Sequence, residues 1–373
     1  MANKQPGHWR RWFNIALLLG IWEILGQFRL VASGTLPPPS AIILRFWTDR
    51  ADYPPHVIAT LQSSFLGFLI GNGIAVLAGT IFALSPRILR IFRGVNIAIF
   101  ALPPIAISPI LVLTLSGMTP RVVLAALGCY FATMTATVMG LTQADDRSID
   151  VVRAYGGRGW SELRFIRLRG ALPVILGGFR IAAPAAVLGA ILAEFGGGGR
   201  YGLGAYLLGS LGRADPPRIW GIGLTATVIS GLAYTLFAAI GNAISGSSRA
   251  VTVPTGVPST PFKPANLFEQ VLLATIAIAL PLILWWLLLW CLHVPEMIAK
   301  TPLGLVNYLF FAPNAASPQQ LLFSALGETL PMTTAGLFAG LLFAFALAIW
   351  TEIFPTITRT FLPVALVTQS MPL

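Results

Sequence analysis

The hydrophobic pattern of the chain is a series of long apolar runs broken by short polar segments. The runs fall at 13–31, 57–84, 94–116, 121–143, 174–195, 217–245, 268–293, 328–351 and 359–373. Runs near 20 residues are long enough to cross a hydrocarbon core of about 30 Å as helices. The alternating ten-residue strands that build a membrane barrel are not part of the pattern. It therefore predicts an all-α polytopic membrane protein.

Composition agrees. Hydrophobic residues make up 56% of the chain, charged residues 10%, and the mean hydropathy is +0.79. Soluble domains carry about 25% charged residues. The net charge of +11 would suit a nucleic-acid partner, but the arginines sit elsewhere. They cluster in short segments between runs, as cytoplasmic loops of membrane proteins do. No nucleic acid is expected as a partner; the lipid bilayer is. Lys4, Arg10 and Arg11 place the N-terminus in the cytoplasm. Counting crossings from there puts Arg87, Arg90 and Arg93 inside, together with 150–173. The loops at 32–56, 117–120 and 196–216 then fall outside.

The densest polar segment is DVVRAYGGRGWSELRFIRLRGALP, Asp150 to Pro173, with Arg153, Arg158, Arg164, Arg167 and Arg169 in it and Arg147 just before. Asp150 is placed to cap a helix N-terminus. Gly156 and Gly157 permit a backbone bend. Trp160 to Leu168 are expected to form a short helix at the membrane surface, and Leu172-Pro173 to begin the next span, since proline is tolerated in a first helical turn. The whole reads as a helix–turn–helix element joined rigidly to a span.

These residues resemble the EAA motif of binding-protein-dependent ABC importer permeases. Asp150-Val151-Val152 stands where that family has Glu-Ala-Ala, Gly156 is its glycine, and Ile166-x-Leu168 holds its Ile-x-Leu place. The sequence departs from the pattern in its Asp, its valines, and Arg169 in place of proline. Ala193-Glu194-Phe195 and Gly202-Leu203-Gly204 resemble two signatures of the nitrate/sulfonate/taurine group, and Arg180 fits it as well. The resemblance implies a type I importer transmembrane domain in a bacterial inner membrane. It implies two partners: a cytoplasmic ABC ATPase, acting as a dimer, and a periplasmic or lipid-anchored solute-binding protein. It also implies a coupling loop of Asp150, Arg153, Ala154, Gly156, Gly157, Trp160, Ser161, Leu163, Ile166 and Leu168, with the docking helix following Gly156. The solute class implied is a small anion such as nitrate, a sulfonate or taurine, or a vitamin-precursor heterocycle.

The chain also repeats. At a shift of 269 residues Thr60 meets Thr329, Gly67 meets Gly336, Gly71 meets Gly340, Pro86 meets Pro355, Arg90 meets Arg359 and Pro103 meets Pro372. The expected organisation is a first permease unit of about six helices at 1–245, a Ser/Thr/Pro-rich linker at 246–267, and a partial second unit at 268–373. An even number of crossings in the first unit makes the repeats parallel. The second unit stops in its third span, so a fragment of a fused two-unit protein, or a natural truncation, is expected.

The remaining candidates point to less chemistry. Lys4, Lys263 and Lys300 lie in no Gly-Lys-Ser/Thr context, so ATP hydrolysis is expected on another chain. Gly196 to Gly204 has no such lysine either. His8, His56 and His293 are scattered, and neither a metal, a cofactor nor a catalytic constellation is expected. Cys129 and Cys291 lie in apolar runs and read as buried small hydrophobes. Glu194, at a span end, reads as structural or interfacial. Arg180 reads as snorkelling to the cytoplasmic side. Pro103, Pro104 and Pro109 predict a kinked third span. Glu23 has no evident role. An ion-gradient-driven secondary transporter is the alternative; it would want paired intramembrane acids or matched broken helices.

Overall fold

The computed structural model describes residues 8–30, 34–197, 199–245, 267–313 and 315–353. They fall into two compact units, one running to Leu280 and one beginning at Pro281. Among the described residues six helices are long and apolar enough to cross a membrane, or seven if one bent pair counts as a span.

The first unit contains α1 (His8–Gln27), α2 (Pro39–Thr48), α3 (Tyr53–Leu84), α4 (Pro86–Ala101), α5 (Pro104–Thr114), α6 (Thr119–Thr142) and α7 (Asp146–Ala154). After them come α8 (Gly159–Phe195), α9 (Leu203–Leu211) and α10 (Pro216–Ser245). Its centre is α6 packed between α3 and α8. Small residues let these backbones approach. A Cβ on Gly67 would lie 2.3 Å from the Ala125 Cβ, and one on Gly71 would lie 2.6 Å from the Ala126 carbonyl oxygen. On the other side of α6, a Cβ on Gly189 would meet the Leu124 carbonyl at 2.5 Å. Lipid supplies no hydrophobic drive between helices, so close packing and buried hydrogen bonds hold them. One such bond runs from Thr133 Oγ1 to Asn72 Oδ1 across α6 and α3.

Three expectations change here. The third span is not kinked but broken: α4 and α5 meet at 92° across Leu102-Pro103. Pro103 and Pro104 have no N–H to continue the helical ladder, so it ends and restarts. The fifth span does not start at 174. Helix α8 begins at Gly159, passes through one π-helical turn at Leu163–Arg167, and continues to Phe195. Trp160 to Leu168 is thus the first part of a span, not a separate surface helix. Finally, α1 carries Arg10, Arg11 and Glu23 and is not among the helices apolar enough to cross unaided.

Helix α11 (Leu267–Cys291) contains the boundary between the units. The second unit then has α12 (Pro302–Phe311) and α13 (Ala316–Ile353). Helix α13 is 38 residues long, extending the expected 328–351 at both ends, and is exposed along nearly its whole length. Cys129 is buried as expected, whereas Cys291 is exposed. The expected span at 359–373 lies outside the described residues, as do the N-terminal Lys4 and nearly all of the linker.

Candidate functional site: the arginine-rich turn between α7 and α8

The polar segment folds as two helices around a tight turn. Asp145, not Asp150, caps α7: its carboxylate accepts from the Arg147 N–H at 3.3 Å and from Ser148 Oγ at 3.1 Å. Asp150 lies in the middle of α7, exposed, with Arg153 Nη1 at 3.7 Å. Ile149 of α7 is buried. At the other end, the Gly156 N–H donates to the Arg153 carbonyl and the Gly157 N–H to the Val152 carbonyl, both at 2.9 Å. Gly156 has φ +81°. This is a glycine helix stop, which needs a residue free of the Cβ penalty at positive φ. Gly157 is needed for space: a Cβ there would lie 2.5 Å from Val152 Cγ1.

A clamp ties the two helices together. Arg153 Nε donates to Glu162 Oε1 at 2.8 Å, and Nη2 lies 3.3 Å from Oε2. Such a two-point pair fixes orientation as well as distance. Arg167 Nη1 reaches back to the Leu141 carbonyl at 3.2 Å, holding the start of α8 to the end of α6.

The predicted site residues divide accordingly. Asp150, Arg153, Ala154, Gly156 and Trp160 are exposed, while Gly157 and Ser161 are half-buried. Leu163 is not available to a partner; it is buried in a cluster with Leu141, Ala171 and Ile175. Ile166 and Leu168 lie half-buried along α8. Of the residues expected to dock, Leu163 is the one taken up by the core. The exposed surface is α7 and the turn, crowned by Tyr155 (90% exposed) and Trp160 (71%). Sequence reasoning missed Tyr155 and Glu162. An acid nine residues after Arg153 shows no helical spacing, so the turn had to be known before the clamp could be seen.

At the opposite end of α8 the two downstream signatures form one buried network. Glu194 is 0% exposed. Thr60 Oγ1 lies 2.9 and 2.8 Å from its two carboxylate oxygens, and the Gly204 N–H donates to Oε2 at 3.0 Å. The Leu203 N–H donates to Thr60 Oγ1 at 2.9 Å, and Arg121 Nη1 stands 4.0 Å from Oε1. A Cβ on Gly202 would lie 2.2 Å from the Glu194 carboxyl carbon. The carboxylate therefore fastens the glycine loop to α3; it is not interfacial. Beside it, Arg218 grips Asp49 through Nε at 2.6 Å and Nη2 at 2.9 Å. Hydrogen bonding to Arg218 holds the Asp49 carboxyl below the ordinary aspartate range.

Arg180 packs against α10. It lies roughly 16 Å along α8 from Arg169 at 1.5 Å per residue, with its guanidinium 4.1 Å from the Tyr234 ring centroid. Its Nε is buried without a hydrogen-bond partner.

Comparison with known proteins covers this same region. Residues 71–250 match the family described as binding-protein-dependent transport system inner membrane component. The riboflavin transport system permease protein RibX of Chloroflexus aurantiacus is 29% identical over 226 residues, which covers 60% of this chain and 84% of that protein. The putative aliphatic sulfonates transport permease protein SsuC of Bacillus subtilis is 26% identical over 205 residues, covering 52% and 74%. The taurine transport system permease protein TauC of Escherichia coli is 25% identical over 176 residues, covering 45% and 64%. The helical architecture and apolar spans make the chain a multi-pass membrane protein, and over residues 71–250 it is similar to the inner membrane components of binding-protein-dependent transport systems, among them permeases named for sulfonates and taurine.

Proposed function

We propose that the chain moves a small solute through the membrane and is driven by a separate cytoplasmic ATPase docked on α7 and the turn to α8. The observation that carries this reading is the built character of that turn. It is capped at both ends, clamped by Arg153 and Glu162, and continuous with the longest packed span of the first unit. A push on α7 therefore reaches the bundle centre through a rigid helix instead of being lost in a loop. Leu163 and Arg167 belong to the transmitting part, packed on α6, and Tyr155 and Trp160 to the receiving part.

The solute we infer is a small anion such as a sulfonate, taurine or nitrate, or a vitamin-precursor heterocycle. The names of the similar permeases support both classes. A solute-binding protein would deliver it on the face opposite α7. Residues 1–245 form the first permease unit and 268–373 part of a second, in a bacterial inner membrane with the N-terminus in the cytoplasm. The test is co-purification with a cytoplasmic ABC ATPase, and solute-stimulated ATP hydrolysis in nanodiscs. Gly156→Val, which breaks the helix stop, is expected to abolish coupling. A Gly156→Val protein that binds the ATPase and couples normally contradicts the assignment.

A further inference from the structure

We infer that α2 is an in-plane membrane anchor whose exposed face beds into the lipid interface on the glycine-loop side of the first unit. The inference stands on the membrane-spanning fold and needs nothing from the proposed ATPase coupling.

The helix is held rigidly at both ends. Glu23 of α1 accepts the Ser40 N–H at 3.0 Å and the Ser40 hydroxyl at 2.5 Å. A carboxylate there also complements the positive end of the helix dipole. Trp22 Nε1 donates to the Pro37 carbonyl at 3.1 Å, and Trp220 Nε1 to the Thr35 carbonyl at 3.0 Å. At the far end Asp49 is gripped by Arg218, in the first turn of α10. The span α3 starts at Tyr53, a few residues beyond. These ties fix α2 at the level where two spans leave the bilayer.

Its two faces then differ. Ile42 packs inward at 4% exposure, and the Phe46 ring lies 4.5 Å from that of Tyr53. Ile43, Leu44 and Trp47 point out, exposed at 69%, 69% and 66%. The Arg50 guanidinium stands 5.0 Å over the Trp47 ring. An exposed aliphatic face bordered by an indole and a guanidinium is the composition of a helix that lies in the membrane interface.

The second unit repeats the device. Helix α12 is capped by Thr301, whose Oγ1 accepts the Gly304 N–H at 3.1 Å. It exposes Leu303, Phe310 and Phe311, and Lys300 Nζ lies 4.6 Å from the Tyr308 ring centroid. A long apolar helix again follows within a few residues. The chemistry recurs while the residues change: Trp47 with Arg50 just past the end of α2, Tyr308 with Lys300 just before the start of α12. A partner read by shape would not tolerate that exchange, whereas a lipid surface does.

The test places an environment-sensitive fluorophore on Ile43→Cys in a Cys291→Ser background, leaving the buried Cys129 in place. The full chain is reconstituted in vesicles of phosphatidylcholine and phosphatidylglycerol. Nitroxide on the upper acyl chain is expected to quench the label about threefold more than nitroxide near the bilayer centre, as for an interfacial helix. Aqueous iodide should have little effect. A label at Arg213→Cys, in the exposed turn after α9, should show the reverse. Leu44→Cys gives an independent second position. A label at 43 and 44 that iodide quenches and lipid nitroxide does not overturns the proposal. Protection from both quenchers also overturns it, and assigns the face to a protein partner.

Discussion

The two ends of α8 are built in opposite ways. At the Phe195 end the two buried carboxylates have partners: Glu194 with Thr60 and the glycine loop, Asp49 with Arg218 and Arg45. At the Gly159 end the ion pair between Arg153 and Glu162 is partly in solvent, and Tyr155 and Trp160 are bare. Breaking one partner of a buried pair costs about 3–5 kcal/mol, whereas a surface pair contributes roughly 0.2–1 kcal/mol. One end is thus fastened for stability. The other is shaped by caps and a clamp but leaves its surface open, as a docking element must.

Substitutions that exchange these properties break the comparison most directly. Arg218→Met leaves the buried Asp49 carboxylate with Arg45 as its remaining charged partner and is expected to cost about 3 kcal/mol, read as a drop in the thermal midpoint in detergent. Thr60→Val removes the hydroxyl shared by Glu194 and the Leu203 N–H and should cost about 1–3 kcal/mol. Glu162→Gln should shift the thermal midpoint little, as for a solvent-screened pair, yet uncouple ATP hydrolysis from transport. Trp160→Ala should leave the thermal midpoint unchanged within error and lower ATPase association. If the last two variants destabilise as much as the first two, the two ends are not different in kind.

Acid sharpens the same contrast. The Asp49 carboxyl titrates below its ordinary value of 3.8 because Arg218 hydrogen-bonds its charged form. Its contribution is present above the unfolded value and lost as pH falls through the folded one. Thermal stability should therefore fall as pH drops below about 4, and Asp49→Asn should flatten that part of the profile.

Much of this was legible in the chain. Apolar run lengths found the spans in α3, α6, α8, α10, α11 and α13, because the bilayer imposes a minimum length on each. The glycines of Tyr155-Gly156-Gly157 marked the turn, since one takes positive φ and the other has no room for a Cβ. What was hidden is what depends on three dimensions. Arg164 and Arg167 read as part of a separate surface helix because charge ends an apolar run, yet with Arg169 they sit on the first turns of a continuous span. Leu163 looked like a docking residue until the π-helical turn placed it in the core. Glu23, with no apparent role, caps a helix that begins sixteen residues later. Glu194 sits ten residues before Gly204 and far from Thr60, so no local spacing announced their bond.

The central claim is that α7 and its turn are where the driving ATPase engages. It is tested most directly by site-specific photo-cross-linking from Tyr155 and Trp160 in native membranes, with Tyr201 on the glycine loop as the control position. The account predicts that both positions cross-link to a nucleotide-binding ATPase subunit, with a yield that changes when ATP is added, and that Tyr201 does not. Cross-links to the ATPase from Tyr201 alone, or none from Tyr155 and Trp160 in a complex that transports, would contradict it.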